Sequence, residues 1–298
     1  MEKKYIDLHI HSVYSDGDKT PKEILEMAEK LKLKYIAITD HENCKAYGEL
    51  KKEEIRKLYH GKVITGCELM TSFNGVMIEI LGYYIEPKII NEWYDKKYAK
   101  EEIEKRDTKL LERLLQKAKI ENLKIEEKIC LPDEIPYTGY FKYMVYEELK
   151  KESQNERFFK KYKINNYEEF IRKGLSNPQN PLFIREEDYI TGIQEIVNLI
   201  HKAGGLAFVA HVYKYQVENH IKFLENMIET VKGIDGVECY YSSFSEEQTQ
   251  NLEEFCETNK LLKSGGSDYH GKIKPHIQMG KGTGNNKIEE KIIEKWTK

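Results

Sequence analysis

Short apolar runs that alternate with helical segments constrain the fold of this 298-residue chain most strongly. The runs lie at residues 5–10, 35–39, 62–67, 76–84, 206–210, 236–240 and 260–265. Between the first two runs, Thr20-Pro21 indicates a helix start, because threonine caps helices and proline fits the first turn. Strands that alternate with helices predict an α/β fold with a parallel sheet, either open or closed into a barrel.

The alternation is interrupted between about residues 89 and 181. This stretch is rich in Lys, Glu and Tyr, and apolar residues such as Leu110, Leu114 and Ala118 recur at helical spacing. We interpret it as a helical insertion, 89–181, that serves as a lid or in substrate recognition. The main domain is then formed by residues 1–88 and 182–298. A separate helical domain is the alternative.

Composition excludes several classes of protein. The net charge of −3 and pI of about 6.4 give no overall basic field for non-specific duplex binding. The five cysteines lack a C-x-x-C pair, which favours reduced thiols over a disulfide framework. No stretch approaches the roughly 18 apolar residues of a membrane span, and none resembles a secretory leader. We therefore expect a cytoplasmic protein without a membrane or an obligate protein partner.

Five of the nine histidines follow strand-like runs at the end where α/β enzymes carry their reactive groups. They are His9, His11, His41, His211 and His270. His9 and His11 are two residues apart on one strand, so their side chains point to the same face. Alone, this pair is equally typical of a solvent-facing strand end and of a metal site.

Carboxylates accompany these histidines. Asp16 follows the first strand, Glu68 closes the third, and Asp268 lies two residues from His270. Glu79 interrupts an apolar strand, where a buried charge needs a counter-charge such as a metal. Imidazole and carboxylate donors without thiolate favour Zn²⁺, Mn²⁺ or Fe. If three divalent ions bound among these four carboxylates, their positive charge would exceed the negative charge of the carboxylates. The surplus would attract an anionic phosphoryl group.

Asp40 and His41 are adjacent, so only one of them can face the site from an extended backbone. We assign His41 as a metal ligand and Asp40 as its support, because ligating imidazoles usually donate their second N–H to a carboxylate or carbonyl.

Taken together, these residues resemble the PHP (polymerase and histidinol phosphatase) family. The matching motifs are His9-Ile10-His11, Ser15-Asp16-Gly17, Thr39-Asp40-His41, Gly66-Cys67-Glu68, Ala210-His211 and Gly266-Ser267-Asp268-Tyr269-His270-Gly271. The resemblance implies a distorted (β/α)7 TIM-like barrel with a trinuclear metal centre. It assigns His9, His11, Glu68 and Asp268 to the first ion, Glu68, Glu79 and His211 to the second, and Asp16, His41 and His270 to the third.

The resemblance also implies a metal-dependent phosphoesterase that uses a metal-activated hydroxide. The stand-alone subgroup with a helical insertion is most similar, and its members hydrolyse nucleoside monophosphates or trim short oligonucleotides from the 5′ end. The candidate catalytic residues are Glu68, His211, His270 and Asp40. Many relatives carry histidine at position 79, and a carboxylate there shifts metal preference from zinc towards manganese, iron or magnesium.

Three alternatives stay open at this point. The chain could be a histidinol-phosphate phosphatase, a metal amidohydrolase or a non-catalytic, metal-stabilised scaffold. Amidohydrolases usually bridge their metals through a carboxylated lysine, whereas this chain has Glu68 at the corresponding strand end. Degenerate scaffolds lose ligands, and this chain keeps a full set.

Three residues are candidates for binding the rest of a nucleotide or oligonucleotide substrate. Arg185 could clamp a phosphate through two hydrogen bonds, or be a surface arginine. Lys272, together with Lys274, could flank the site, or be solvated in a loop. Tyr241 ends a strand and could stack on a base, or pack in the core.

Overall fold

The computed structural model describes residues 3–126, 129–132, 139–184 and 190–297. Two compact units divide the chain. The first consists of Met1–Tyr94 and Thr191–Lys298, and the second of Asp95–Ile190. The first unit has a mixed α/β fold and the second is helical. None of the described helices has the length and apolar character that crossing a membrane needs.

The first unit contains all the strands in the described part of the chain. They are β1 (Tyr5–Ile10), β2 (Leu33–Ile38), β3 (Lys62–Val63), β4 (Gly66–Phe73), β5 (Val76–Tyr83), β6 (Leu206–Val209), β7 (Gly236–Tyr241), β8 (Leu262–Gly266) and β9 (Ile288–Glu289). Its helices are α1 (Pro21–Lys30), α2 (Ala46–Leu50), α3 (Glu53–Arg56), α4 (Pro87–Lys97, which crosses the unit boundary), α9 (Ile193–Lys202), α10 (His220–Thr230) and α11 (Glu246–Thr258). The predicted start of α1 is confirmed: Thr20 caps the helix directly before Pro21 and forms a capping box with Glu23.

The described strands form two sheets and not a closed barrel, whereas the family resemblance implies a distorted (β/α)7 barrel. One sheet has the order β3-β2-β1-β9 and the other the order β4-β5-β6-β7-β8. Isolated parallel bridges join Ile10 to Tyr269 and His41 to Glu68, so residues that end strands of the first sheet lie next to residues of the second. The α/β prediction is therefore confirmed at the level of a mixed fold.

The second sheet is not parallel throughout, because β4 and β5 form a hairpin. Asn74 and Gly75 have φ values of 50° and 78°, the positive values that a tight two-residue hairpin turn requires. Strand β6 then pairs antiparallel with β5, and only β6, β7 and β8 run parallel.

The single strand predicted at 62–67 is divided between the two sheets. Its first part, β3, pairs with β2, and the Ile64 N–H still donates to Ile36 O. The Thr65 carbonyl instead accepts the Tyr84 N–H, and Gly66 begins the pairing with β5. A continuous apolar run therefore changes its partner strand at Thr65, which hydrophobicity alone does not reveal.

Strand β1 positions polar residues in the interior because both of its faces are buried. Ile6 and Leu8 pack against aromatic residues such as Phe208. The alternating positions Asp7 and His9 also have no exposed surface. Polar groups on a fully buried strand are costly unless they have partners, so this face of β1 is a candidate functional site.

The second unit has a hydrophobic core of its own. Its helices are α5 (Lys100–Ile120), α6 (Phe141–Lys151), α7 (Glu156–Lys161) and α8 (Tyr167–Glu169), the last continuing as a π-helical turn at Phe170–Leu175. The fully buried side chains at its centre include Leu114, Phe141, Leu149 and Phe170. Tyr146 packs in the same core.

This core gives a first prediction. Leu114→Ala should destabilise the protein by about 2–5 kcal/mol, because the removed methyl groups leave a cavity. Ile120→Ala on the same helix is the control, since Ile120 is 70% exposed and its truncation should change stability by less than about 0.5 kcal/mol. Urea unfolding followed by circular dichroism measures both, and equal midpoints for the two variants would contradict this core.

Candidate metal centre

The site begins with His9 in β1 and His11, which directly follows β1. His9 and His11 are fully buried, and their Nε2 atoms lie on one face of the strand. Each Nε2 is 3.3 Å from Glu68 Oε2. The same atoms lie 3.5 and 3.3 Å from Asp268 Oδ1, respectively. Strand alternation therefore brings both imidazoles to the same two carboxylates, as the His-x-His pattern predicts.

Glu68 lies at the centre of the cluster. Its Oε2 is 3.3 Å from nitrogens of His9, His11 and His41, and its Oε1 is 2.9 Å from His211 Nε2. The side chain is only 1% exposed. A buried carboxylate is costly unless positive charge or hydrogen-bond donors surround it, and here four imidazoles do so.

Glu79 extends this arrangement towards solvent. Its Oε2 lies 3.2 Å from His211 Nε2 and its Oε1 lies 3.6 Å from His41 Nδ1. The side chain is 26% exposed, so it belongs to the open edge of the cluster.

A second open edge is formed by Asp16. Its Oδ1 is 3.2 Å from His270 Nε2, 3.4 Å from His11 Nδ1 and 3.6 Å from His41 Nε2. Half of the Asp16 side chain is exposed, whereas His270 is buried. Solvent and small solutes therefore reach the cluster from this side.

The structure brings all nine predicted ligands together. Their donor atoms form four overlapping groups within 4.8 Å: His11, Asp16, His41 and His270; His9, Glu68 and His211; His9, His11 and Asp268; and His41, Glu68 and Glu79. The buried Nε2 atoms of His9, His11 and His270 have no hydrogen-bond partner within the described residues. Unpartnered imidazole nitrogens aimed at carboxylate oxygens fit divalent metal ions.

Electrostatics in the cluster are strongly coupled. Burial opposes protonation of His11, but the neighbouring Asp268 and Glu68 carboxylates outweigh it and raise the pKa to about 9. Burial likewise opposes protonation of His211, yet Glu68 and Glu79 raise its pKa to about 10. Burial disfavours the Glu68 carboxylate, but the surrounding imidazoles hold its pKa well below the usual range. Positive charge next to these carboxylates is therefore favoured, and bound cations would supply it.

Sequence reasoning missed Glu238 on β7. Its Oε1 accepts a hydrogen bond from His9 Nδ1 at 2.9 Å, and its Oε2 accepts the His211 N–H at 2.9 Å. The side chain is completely buried. It fixes the ring of His9 so that Nε2 faces Glu68. A charged residue in the run Gly236–Tyr241 is the signal that could have revealed it, as it revealed Glu79.

Asp7 is a second buried carboxylate that the motifs did not identify. It accepts hydrogen bonds from the Ser267 N–H and hydroxyl and from the Gly280 N–H. Burial raises its pKa to about 6, against the effect of these hydrogen bonds. Asp7 therefore joins β1 to the segment that carries Asp268.

Strand β8 approaches β1 closely beside the cluster. A Cβ atom at Gly266 would lie 2.3 Å from the Cβ of His9, so only glycine fits. Two residues later Asp268 adopts a φ of 60°, a left-handed conformation that aspartate tolerates better than most residues. Strained backbone of this kind is common at functional sites.

Asp40 has a different position from the one that the sequence suggested. The prediction was a hydrogen bond that supports His41. In the structure the Asp40 carboxylate accepts hydrogen bonds from the Ser12 N–H, the Ser12 hydroxyl and the Ser15 hydroxyl, at 2.6–2.7 Å. It therefore holds the loop that carries Asp16, because the two serines lie between β1 and that residue.

The three predicted substrate-binding residues differ in their surroundings. Tyr241 is 4% exposed, and its hydroxyl donates to Asp268 Oδ2 at 2.7 Å, so it supports a cluster carboxylate and lacks a free face for stacking. Lys272 has an exposed side chain, and its backbone N–H donates to Asp18. Arg185 lies outside the described residues.

The position of Glu238 gives a second prediction. Glu238→Gln leaves only one acceptor oxygen for the two donors, so the His9 ring loses its fixed orientation and metal binding should weaken by roughly 10- to 100-fold. Glu254→Gln, on the exposed side of α11, should bind metal as the wild type does. Titration of metal-free protein with Mn²⁺ measures both, and unchanged affinity in Glu238→Gln would refute this supporting role.

Comparison with known proteins places this geometry in a family. The PHP domain profile matches residues 7–273. A 5′-3′ exoribonuclease of Haemophilus influenzae is 29% identical over 303 residues, which cover 100% of both chains. The 5′-3′ exoribonuclease Rnm of Escherichia coli is 25% identical over 280 residues, covering 92% of this chain and 88% of that protein.

A solved structure gives the same result for the fold. A protein of Bifidobacterium adolescentis, described provisionally as a metal-dependent phosphoesterase, superposes with a TM-score of 0.57 and 22% identity over 98% of this chain and 95% of that chain. The predicted PHP resemblance is confirmed, and the expected hydrolysis of phosphoester bonds agrees with the names of the two exoribonucleases. The chain therefore belongs to the PHP family.

Proposed function

We propose that this protein removes nucleotides from the 5′ end of RNA or short oligonucleotides by metal-dependent hydrolysis. The observation that supports this most is the burial of Glu68 among four imidazoles, with open edges at Asp16 and Glu79. A structural cluster would be closed to solvent, whereas the Asp16 and Glu79 side chains of this one are 51% and 26% exposed.

The ligand sets that we propose are those that the family resemblance implied, and all of their members lie within the four groups described above. His9, His11, Glu68 and Asp268 would hold one divalent ion, and Glu68, Glu79 and His211 a second. A third would be held by Asp16, His41 and His270. When bound, such ions supply Lewis acidity: they make water nucleophilic at neutral pH and neutralise the charge on a phosphoryl group.

The protein side chains prepare this chemistry. Glu238 and Asp7 fix β1 and its histidines, and Tyr241 holds one oxygen of Asp268, so little reorganisation accompanies the reaction. Glu79 adds oxygen donors at the open edge, which favours manganese, iron or magnesium over zinc. Asp40 sets the position of the Asp16 loop.

The choice of substrate rests on the relatives. Two 5′-3′ exoribonucleases match this chain over nearly its whole length. We infer that the two sheets of the first unit correspond to halves of a distorted (β/α)7 barrel. The role of the helical unit as a lid or in substrate recognition stays a prediction.

The activity is tested with a 3′-labelled RNA oligonucleotide that carries a 5′-phosphate, with Mn²⁺ present. The wild type should release mononucleotides and shorten the labelled strand stepwise. Glu68→Gln should reduce kcat by at least about 100-fold, since it removes the charge shared by the proposed ligand sets. Glu254→Gln should retain wild-type rates.

A parallel assay with nucleoside monophosphates and histidinol phosphate separates the alternatives. Faster release of phosphate from histidinol phosphate than cleavage of the oligonucleotide would contradict the proposed substrate. Wild-type rates in Glu68→Gln would contradict the proposed centre itself.

A further inference from the structure

A lysine ammonium group lies beside the cluster and is not explained by the functions assigned so far. Lys274 Nζ is 2.7 Å from Asp268 Oδ2. The other oxygen, Asp268 Oδ1, faces the Nε2 atoms of His9 and His11 at 3.5 and 3.3 Å. The Asp268 carboxylate therefore lies between this ammonium and the imidazole nitrogens that would hold metal.

The backbone holds this lysine in place. Gly271 has a φ of 68°, and a Cβ atom there would overlap with the Asp18 carboxylate, so the turn after His270 requires glycine. The other Asp18 oxygen, Oδ2, accepts the Lys272 N–H at 3.1 Å. Beyond the turn, the Lys274 carbonyl accepts the Ile277 N–H. The segment is thus tied on both sides, unlike a freely moving surface loop.

The ammonium also has capacity for a further ligand. Asp268 Oδ2 already accepts the hydroxyl of Tyr241 at 2.7 Å, so Lys274 is not required to satisfy that oxygen. Tyr241 is buried, whereas the Lys274 side chain is 35% exposed. An ammonium has three donors, and one of them is used by Asp268.

We propose that Lys274 binds a non-bridging oxygen of the substrate phosphate at the metal centre, with Asp268 holding its ammonium in position. This inference rests on the proposed function. A phosphate that enters beside the Asp268 carboxylate is anionic, so it gains from a fixed cation at this edge of the centre. A charge-assisted hydrogen bond to a phosphate oxygen is also stronger than a neutral one.

The test is the affinity of metal-loaded protein for inorganic phosphate, measured by isothermal titration calorimetry at saturating metal. Lys274→Ala should weaken phosphate binding by about tenfold or more, because a hydrogen bond between charged groups is lost. Lys274→Arg keeps the charge and should restore most of the affinity. Metal content is measured on the same samples.

Tyr241→Phe is the matched comparison, because it removes the other donor to the same Asp268 oxygen. If Lys274 acts only by holding Asp268, both variants should lose metal and phosphate affinity alike. Weakened phosphate binding in Lys274→Ala at full metal content, without a matching loss in Tyr241→Phe, supports the proposal.

Two further results would overturn it in distinguishable ways. Equal phosphate affinity in Lys274→Ala and the wild type would reject the role of Lys274 and leave the proposed function intact. Failure of the metal-loaded wild type to bind phosphate would reject both.

Discussion

The burial of the Glu68 carboxylate among imidazoles is the interaction on which the rest of this structure depends. Its side chain contacts His9 and His11 from β1, and also His41 and His211. Its backbone joins the same region to the segment after β2: the Glu68 N–H donates to the Asp40 carbonyl, and the Glu68 carbonyl accepts the Glu42 N–H. The same residue therefore links the two sheets and gathers the histidines. A charge at this depth is tolerated only because of that arrangement.

Further buried carboxylates hold the cluster in shape. Glu238 binds His9 and the backbone of His211, Asp7 joins β1 to Ser267, and Asp40 fixes the loop before Asp16. These groups lie beyond the proposed ligands, yet each restrains one of them. Preorganisation of this kind is what metal-assisted phosphoester hydrolysis requires, because the ligands must not rearrange as charge develops on the phosphate.

The sequence predicted the site more completely than the fold. Strand alternation places His9 and His11 on one face, and a charge within an apolar run identifies Glu79. The same signal, a charge within the apolar run Gly236–Tyr241, also marks Glu238, which the motifs do not include. Adjacency suggested that Asp40 supports His41, but hydrogen-bond partners 25 and 28 residues away are decided by tertiary contacts. The division of 62–67 between two sheets, and the two-residue β9, likewise depend on long-range pairing that periodicity does not encode.

The central claim is that this cluster is a metal centre, and metal analysis of the purified protein tests it most directly. Protein prepared without chelators should contain about three divalent transition ions per chain, as a centre for phosphoryl hydrolysis with these ligand sets requires. Inductively coupled plasma mass spectrometry gives the count. Wild-type protein that remains free of metal after incubation with Mn²⁺, Fe²⁺ and Zn²⁺ would contradict the account.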